Sequence, residues 1–112
     1  MNWNKLTSAA QIDEIKALSS QKPVFIFKHS TTCSISNMSL DRLQRNWKEE
    51  DADKIIPYYL DLLAYRALSN QVAQDFGVIH ESPQVILVRD GKVVYHESHY
   101  GISYAALLAQ NG

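Results

Sequence analysis

The run Pro23-Val24-Phe25-Ile26-Phe27-Lys28-His29-Ser30-Thr31-Thr32-Cys33-Ser34-Ile35-Ser36 constrains this chain more than any other stretch. Val24 to Phe27 is an unbroken apolar, aromatic and β-branched run, the pattern of a strand covered on both faces. Ser30, Thr31 and Thr32 read as a short polar turn. From Ser34 the apolar spacing turns helical, with Leu40, Leu43 and Trp47 at i, i+3 and i+7. Cys33 therefore stands where a buried strand hands over to the first turn of a helix. Free N–H groups and the positive end of the helix dipole favour a thiolate there.

The remaining segments fit around that junction. Trp3 to Leu6 gives a weak signal for a first strand. Ser8-Ala9-Ala10-Gln11 fits a capping box, followed by a helix carrying Ile12, Ile15 and Leu18 and ending near Ser20. The helix after Cys33 should fade at Lys48–Asp53, a charged stretch that reads as a solvated connection. Ile55 to Leu60 is β-rich and follows at the right distance for a parallel βαβ unit. Leu68, Val72 and Phe76 mark another helix, with Gly77 as its C′ residue. Gln84 to Arg89 and Lys92 to His96 are strands joined by Asp90-Gly91, a two-residue hairpin signal. Gly101 breaks the pattern, and Ser103 can cap a last short helix with Leu107 and Leu108.

The order β-α-β-α-β-α-β-β-α describes an α/β fold, a mixed central sheet with helices on both faces. At 112 residues it is expected to form a single domain spanning 1–112. A formal net charge of −1 gives no electrostatic reason to expect nucleic acid or an anionic membrane as partner. No stretch has the apolar length of a transmembrane helix, and residues 1–20 lack the apolar region of a signal peptide. One cysteine cannot close an intramolecular disulfide, so any disulfide chemistry is intermolecular and the cytoplasm is the expected compartment. His96 and His99, at i and i+3 on a strand, would face opposite ways, so no metal site is expected. A Gly-rich phosphate loop and a Gly-x-Ser-x-Gly elbow are also missing from the sequence.

The element order, with Cys33 at the second strand–helix junction and Ser82-Pro83 before the hairpin, is similar to the thioredoxin fold. The words Phe25 to Ser36, Phe76-Gly77-Val78 and Glu81-Ser82-Pro83-Gln84 resemble those of the YtxJ-type monothiol bacilliredoxins over nearly the whole chain. The resemblance implies a thiol-disulfide oxidoreductase in which Cys33 removes bacillithiol, a low-molecular-weight thiol, from protein mixed disulfides. Bacillithiol is then the co-substrate and no cofactor is tightly bound. The partners are bacillithiolated client proteins and a separate thiol or reductase for recycling, and a monomer is expected. Three positions depart from related motifs. Ser34 stands where the familiar word has proline, Ser36 replaces the resolving cysteine of dithiol thioredoxins, and Phe27 takes the place of their buried acid. The last two argue against self-resolving chemistry.

Several side chains are candidates around Cys33. Ser36, one turn on, could donate to the thiolate or satisfy local backbone, and Ser34 and Thr32 flank the cysteine as further donors. Pro83 is expected to be cis, presenting the backbone of Ser82 to an extended substrate. Lys28, His29, Arg66 and His80 are cationic or titratable groups that the fold could bring to one anion site. Arg66 is the expected leading contributor to small-thiol binding, because it follows a parallel strand at its carboxyl end; the alternative is an outward side chain paired with Asp75 or Glu81. The malate unit of bacillithiol suits a guanidinium. Two other functions stay open: a monothiol glutaredoxin-like iron–sulfur carrier, against which Ser34-Ile35 replaces an expected Gly-Phe, and a thioredoxin-like adaptor without redox activity.

Overall fold

A computed structural model describes residues 3–110. Its elements are β1 (Asn4–Lys5), α1 (Ala10–Leu18), β2 (Val24–His29), α2 (Ser34–Asn46), a 3-10 turn (Glu49–Asp53), β3 (Ile56–Asp61), α3 (Arg66–Phe76), β4 (Gln84–Arg89), β5 (Lys92–Ser98), a second 3-10 turn (His99–Gly101) and α4 (Tyr104–Ala109). The five strands lie in the order β1-β3-β2-β4-β5. β1, β3 and β2 run parallel, and β4 and β5 continue the sheet antiparallel. This is the thioredoxin-like α/β arrangement with a mixed sheet.

Period-two alternation along β2 explains its unbroken apolar run. Val24 and Ile26 enter one core layer with Ile12 and Ile15 of α1 and Leu68 and Val72 of α3. Phe25 and Phe27 enter the other with Leu43 of α2 and Tyr104 and Leu107 of α4. Both faces are therefore covered, and every residue of β2 is buried.

The strand is two residues longer than its apolar run. Lys28 and His29 stay in the ladder because they pair with Leu60 and Asp61 of β3, and Lys28 also pairs with Gln84 of β4. Conversely, Trp3 to Leu6 shrinks to two strand residues. Trp3 instead lays its indole against the rings of Phe25, Phe27 and Tyr59, while Leu6 enters the opposite core layer.

The capping box over Ser8–Gln11 forms only in half. Gln11 Oε1 accepts from Ser8 N–H at 3.0 Å and Thr7 N–H at 2.7 Å, but Ala9 is the N-cap and no side chain caps the helix. The charged stretch at 48–53 is also more than a solvated connection. It folds as a 3-10 turn whose Asp51 is buried, accepting from the hydroxyl of Tyr104 at 2.9 Å and from Lys48 N–H at 3.2 Å.

Turn chemistry places the hairpin and the helix ends where the sequence has its signals. Asp90 and Gly91 both have positive φ (52° and 74°), as a type I′ turn requires. Gly77 closes α3 in the left-handed region, φ 65°. Ser103 Oγ accepts from Ala106 N–H at 3.3 Å and caps α4. Among the described residues, no helix is long and apolar enough to cross a membrane.

Candidate active site

Cys33 is a free, half-buried thiol at the N-cap of α2, with extended backbone (φ −99°, ψ 121°). Two backbone bonds pin it: Cys33 N–H donates to Ser30 O at 3.1 Å, and Cys33 O accepts from Asn37 N–H at 3.0 Å. Asn37 Nδ2 also donates to Thr31 O at 3.3 Å, tying the turn to the helix it precedes. Thr32 and Ser34 are exposed on either side of the sulfur-bearing residue.

The Ser82–Pro83 bond is cis. Because Gln84 pairs with Lys28, the preceding Pro83 lies beside the end of β2, where the chain turns toward Cys33. Pro83 O is held by His99 N–H at 3.0 Å. His99 thus sits outside β5 at the head of a 3-10 turn, so the reason given above for rejecting a His96–His99 metal pair does not describe it. Among the described residues, no group of three or more His, Cys, Asp and Glu side chains is arranged to hold a metal ion.

Of the two readings of Ser36, the structure shows the local-backbone one: the residue is fully buried, its hydroxyl oxygen 2.6 Å from His29 Nδ1 and accepting Ser30 N–H at 3.0 Å. Two other expectations for nearby side chains need correction. His29 is not an open cationic group. Its ring is buried, packs against Phe27 and Tyr59, and its pKa is lowered by burial against the opposing pull of Asp61 and the bonds to Ser36 and Asn37. Lys28 is likewise enclosed, on the α1/α3 side of the sheet. Its Nζ donates to Ser69 O at 3.1 Å and to His80 Nδ1 at 3.2 Å, and burial lowers its pKa to about 8. Ladder pairing continues past the apolar run of β2 and draws both residues in.

Arg66 is exposed as the first residue of α3. Its charge reaches His80, whose pKa is lowered by burial first, then by Lys28 and Arg66, against Glu81. The carboxylates that might have claimed Arg66 have other partners: Asp75 accepts from Gln71 at 2.8 Å, and Glu81 from the hydroxyl of Ser98.

A cleft of about 470 Å³ opens at the carboxyl ends of β1 and β3, walled by Trp3, Lys5, Thr7, Tyr59, Asp61 and Tyr65. Its walls come from segments more than fifty residues apart, so no local motif announces it. The pairing of Asn4 with Tyr58 and Lys5 with Tyr59 assembles it.

Comparison with known proteins agrees with this geometry. The sequence model of the family described as monothiol bacilliredoxin BrxC matches residues 4–107. A solved structure described as a candidate oxidoreductase with a thioredoxin fold is 34% identical, with a TM-score of 0.78, covering 96% of this chain and 90% of that one. Thioredoxin from Malassezia sympodialis superposes with a TM-score of 0.78 at 19% identity, covering 99% and 92%. The long form of spinach chloroplast thioredoxin f gives 0.73 at 17% identity, covering 99% and 88%. The last two speak to the fold alone.

Proposed function

The chain belongs to the monothiol bacilliredoxin BrxC family and is a thiol oxidoreductase, and from that premise we propose that it strips bacillithiol from protein mixed disulfides through Cys33. The observation that carries this reading is a single free thiol, half-buried at the N-cap of α2, in a chain whose Ser82–Pro83 bond before β4 is cis. One sulfur is sufficient. The Cys33 thiolate attacks the bacillithiol sulfur of the mixed disulfide, a new S–S bond forms, and the client cysteine leaves as a thiolate that takes a proton from solvent. Cys33 then carries bacillithiol until a second thiol, or a reductase, attacks the adduct and releases it.

The backbone of Ser82 offers an extended client segment a place to pair beside Cys33. Arg66 supplies positive charge for the carboxylates of the small thiol. Lys28 and His29 have no part in that contact, being enclosed on opposite faces of the sheet. We place the reaction in the cytoplasm, where protein thiols are otherwise kept reduced, and propose that the whole chain acts as one domain and a monomer, with no tightly bound cofactor.

Intact mass after incubation with oxidised bacillithiol, with glutathione disulfide run in parallel, tests this reading. One bacillithiol adduct is expected, absent in Cys33→Ser, with little adduct from glutathione. A brown, cluster-bearing protein after anaerobic purification would favour the iron–sulfur carrier. Client interactions that survive Cys33→Ser without any adduct in wild type would favour the adaptor.

A further inference from the structure

A continuous chain of hydrogen bonds ties the cysteine turn to the core. His29 Nδ1 lies 2.6 Å from Ser36 Oγ, Ser30 N–H donates to that oxygen at 3.0 Å, and Cys33 N–H donates to Ser30 O at 3.1 Å. His29 and Ser36 are 2% and 0% exposed, so neither can exchange its partner for bulk water. Residue 36, in the first turn after Cys33, thus holds a hydroxyl locked to an imidazole.

We propose that His29 is the positioning residue of Cys33, acting through Ser36 and Ser30 so that charge on the imidazole and charge on the sulfur are coupled. The proposal rests on Cys33 being the reactive thiol. The Ser36 hydroxyl has one proton, and its oxygen already accepts from Ser30 N–H. When Nδ1 is unprotonated, Ser36 donates to it. When the ring is an imidazolium, Nδ1–H donates to Ser36 instead, and the hydroxyl proton must turn elsewhere in the first turn of α2. A change of charge on His29 therefore reverses the bond that holds the turn bearing Cys33.

The surroundings leave few competing charges. From β3, Asp61 and Tyr59 face the ring; from α2, Ser36 and Asn37 face it and are neutral. Lys28, the neighbour on β2, is turned to the other face and bound to Ser69 and His80. The Phe27 ring stacks on the imidazole and carries no charge. Burial keeps the ring neutral near pH 7, and in the proposed Nε2–H tautomer Nδ1 accepts from Ser36.

Coupling between two titrating groups is reciprocal, so it is readable from the histidine without any turnover. The ring signals of His29 are followed by NMR against pH in the full chain, first with Cys33 carboxymethylated by iodoacetate and then with Cys33 capped by iodoacetamide. The carboxylate of the first cap places a fixed negative charge at the sulfur and stabilises the imidazolium, so the His29 midpoint should be higher with it by at least ~0.3 pH unit, a twofold coupling. The difference should shrink in Ser36→Ala. Alkylation of Cys33 should follow a pH profile that changes shape in His29→Asn, which retains a hydrogen-bonding amide but cannot titrate. His29→Phe, which retains the ring packing alone, should lower the rate several-fold further. The same His29 midpoint with both caps would overturn the proposal, and the wild-type comparison decides even if a variant fails to fold. Adduct formation with bacillithiol is scored separately, so failure of the coupling is distinct from failure of Cys33 as the nucleophile.

Discussion

The ammonium of Lys28 donates at 3.2 Å to Nδ1 of His80, so a fully buried cation is held by an imidazole and a carbonyl instead of a carboxylate. Among the described residues, no acid forms an ion pair with it. Phe27, one residue earlier, packs into the core on the other face.

That arrangement makes stability depend on pH in a stated direction. Burial lowers the Lys28 pKa to about 8, against 10.5 for an ordinary lysine. Between those values the unfolded chain binds the proton more tightly than the folded one, so stability rises with pH across that window. Below pH 8 the whole cost of the buried charge is present, about 3 kcal/mol at 1.4 kcal/mol per pH unit. Urea unfolding at pH 7, 8, 9 and 10 should show wild type gaining on Lys28→Met as pH rises. Parallel curves for the two proteins would contradict it.

Tyr104 and Asp51 make a second buried contact, the phenol donating to Oδ2 at 2.9 Å across 53 residues of sequence. Burial and Asp51 both raise the Tyr104 pKa, so the phenol remains a donor throughout the physiological range. Tyr104→Phe keeps the packing against Trp47 but leaves a buried carboxylate one donor short. The expected loss is about 1–3 kcal/mol in a denaturant melt at pH 7, with little effect on Cys33 chemistry. A loss below the error of the melt would show that water replaces the phenol.

Arg66 stands exposed at the head of α3, and among the described residues neither Asp75 nor Glu81 pairs with it. Arg66→Ala should slow reaction with bacillithiol disulfides up to about fivefold, the ~1 kcal/mol ceiling of an exposed ion pair. Reaction with a small uncharged disulfide should be unchanged, and added salt should partly mimic the substitution. Equal rates for both substrates in wild type and variant would remove Arg66 from the site.

Much of this fold was legible because its boundaries are marked by residues with few alternatives. Asp90-Gly91 sets the β4–β5 turn, Pro83 precedes β4, and Gly77 ends α3. Cys33 at the helix start was legible from the change of apolar period that follows it. The polar interior was not. Lys28, His29, Ser36 and Asp51 are buried by pairings with Ser69, His80, Ser30 and Tyr104, and nothing local in the sequence distinguishes such residues from solvated ones. Hydrophobic periodicity reports which residues leave water for the core; it does not report which polar groups find partners there.

In the proposed reaction Cys33 takes bacillithiol from a client protein and carries it. The direct measurement mixes the reduced protein with a client bearing one bacillithiol mixed disulfide and follows both intact masses over time. The client is expected to lose one bacillithiol as this chain gains one on Cys33, with neither change in Cys33→Ser. A client that keeps its bacillithiol, or that becomes disulfide-linked to Cys33 while free bacillithiol is released, would contradict it.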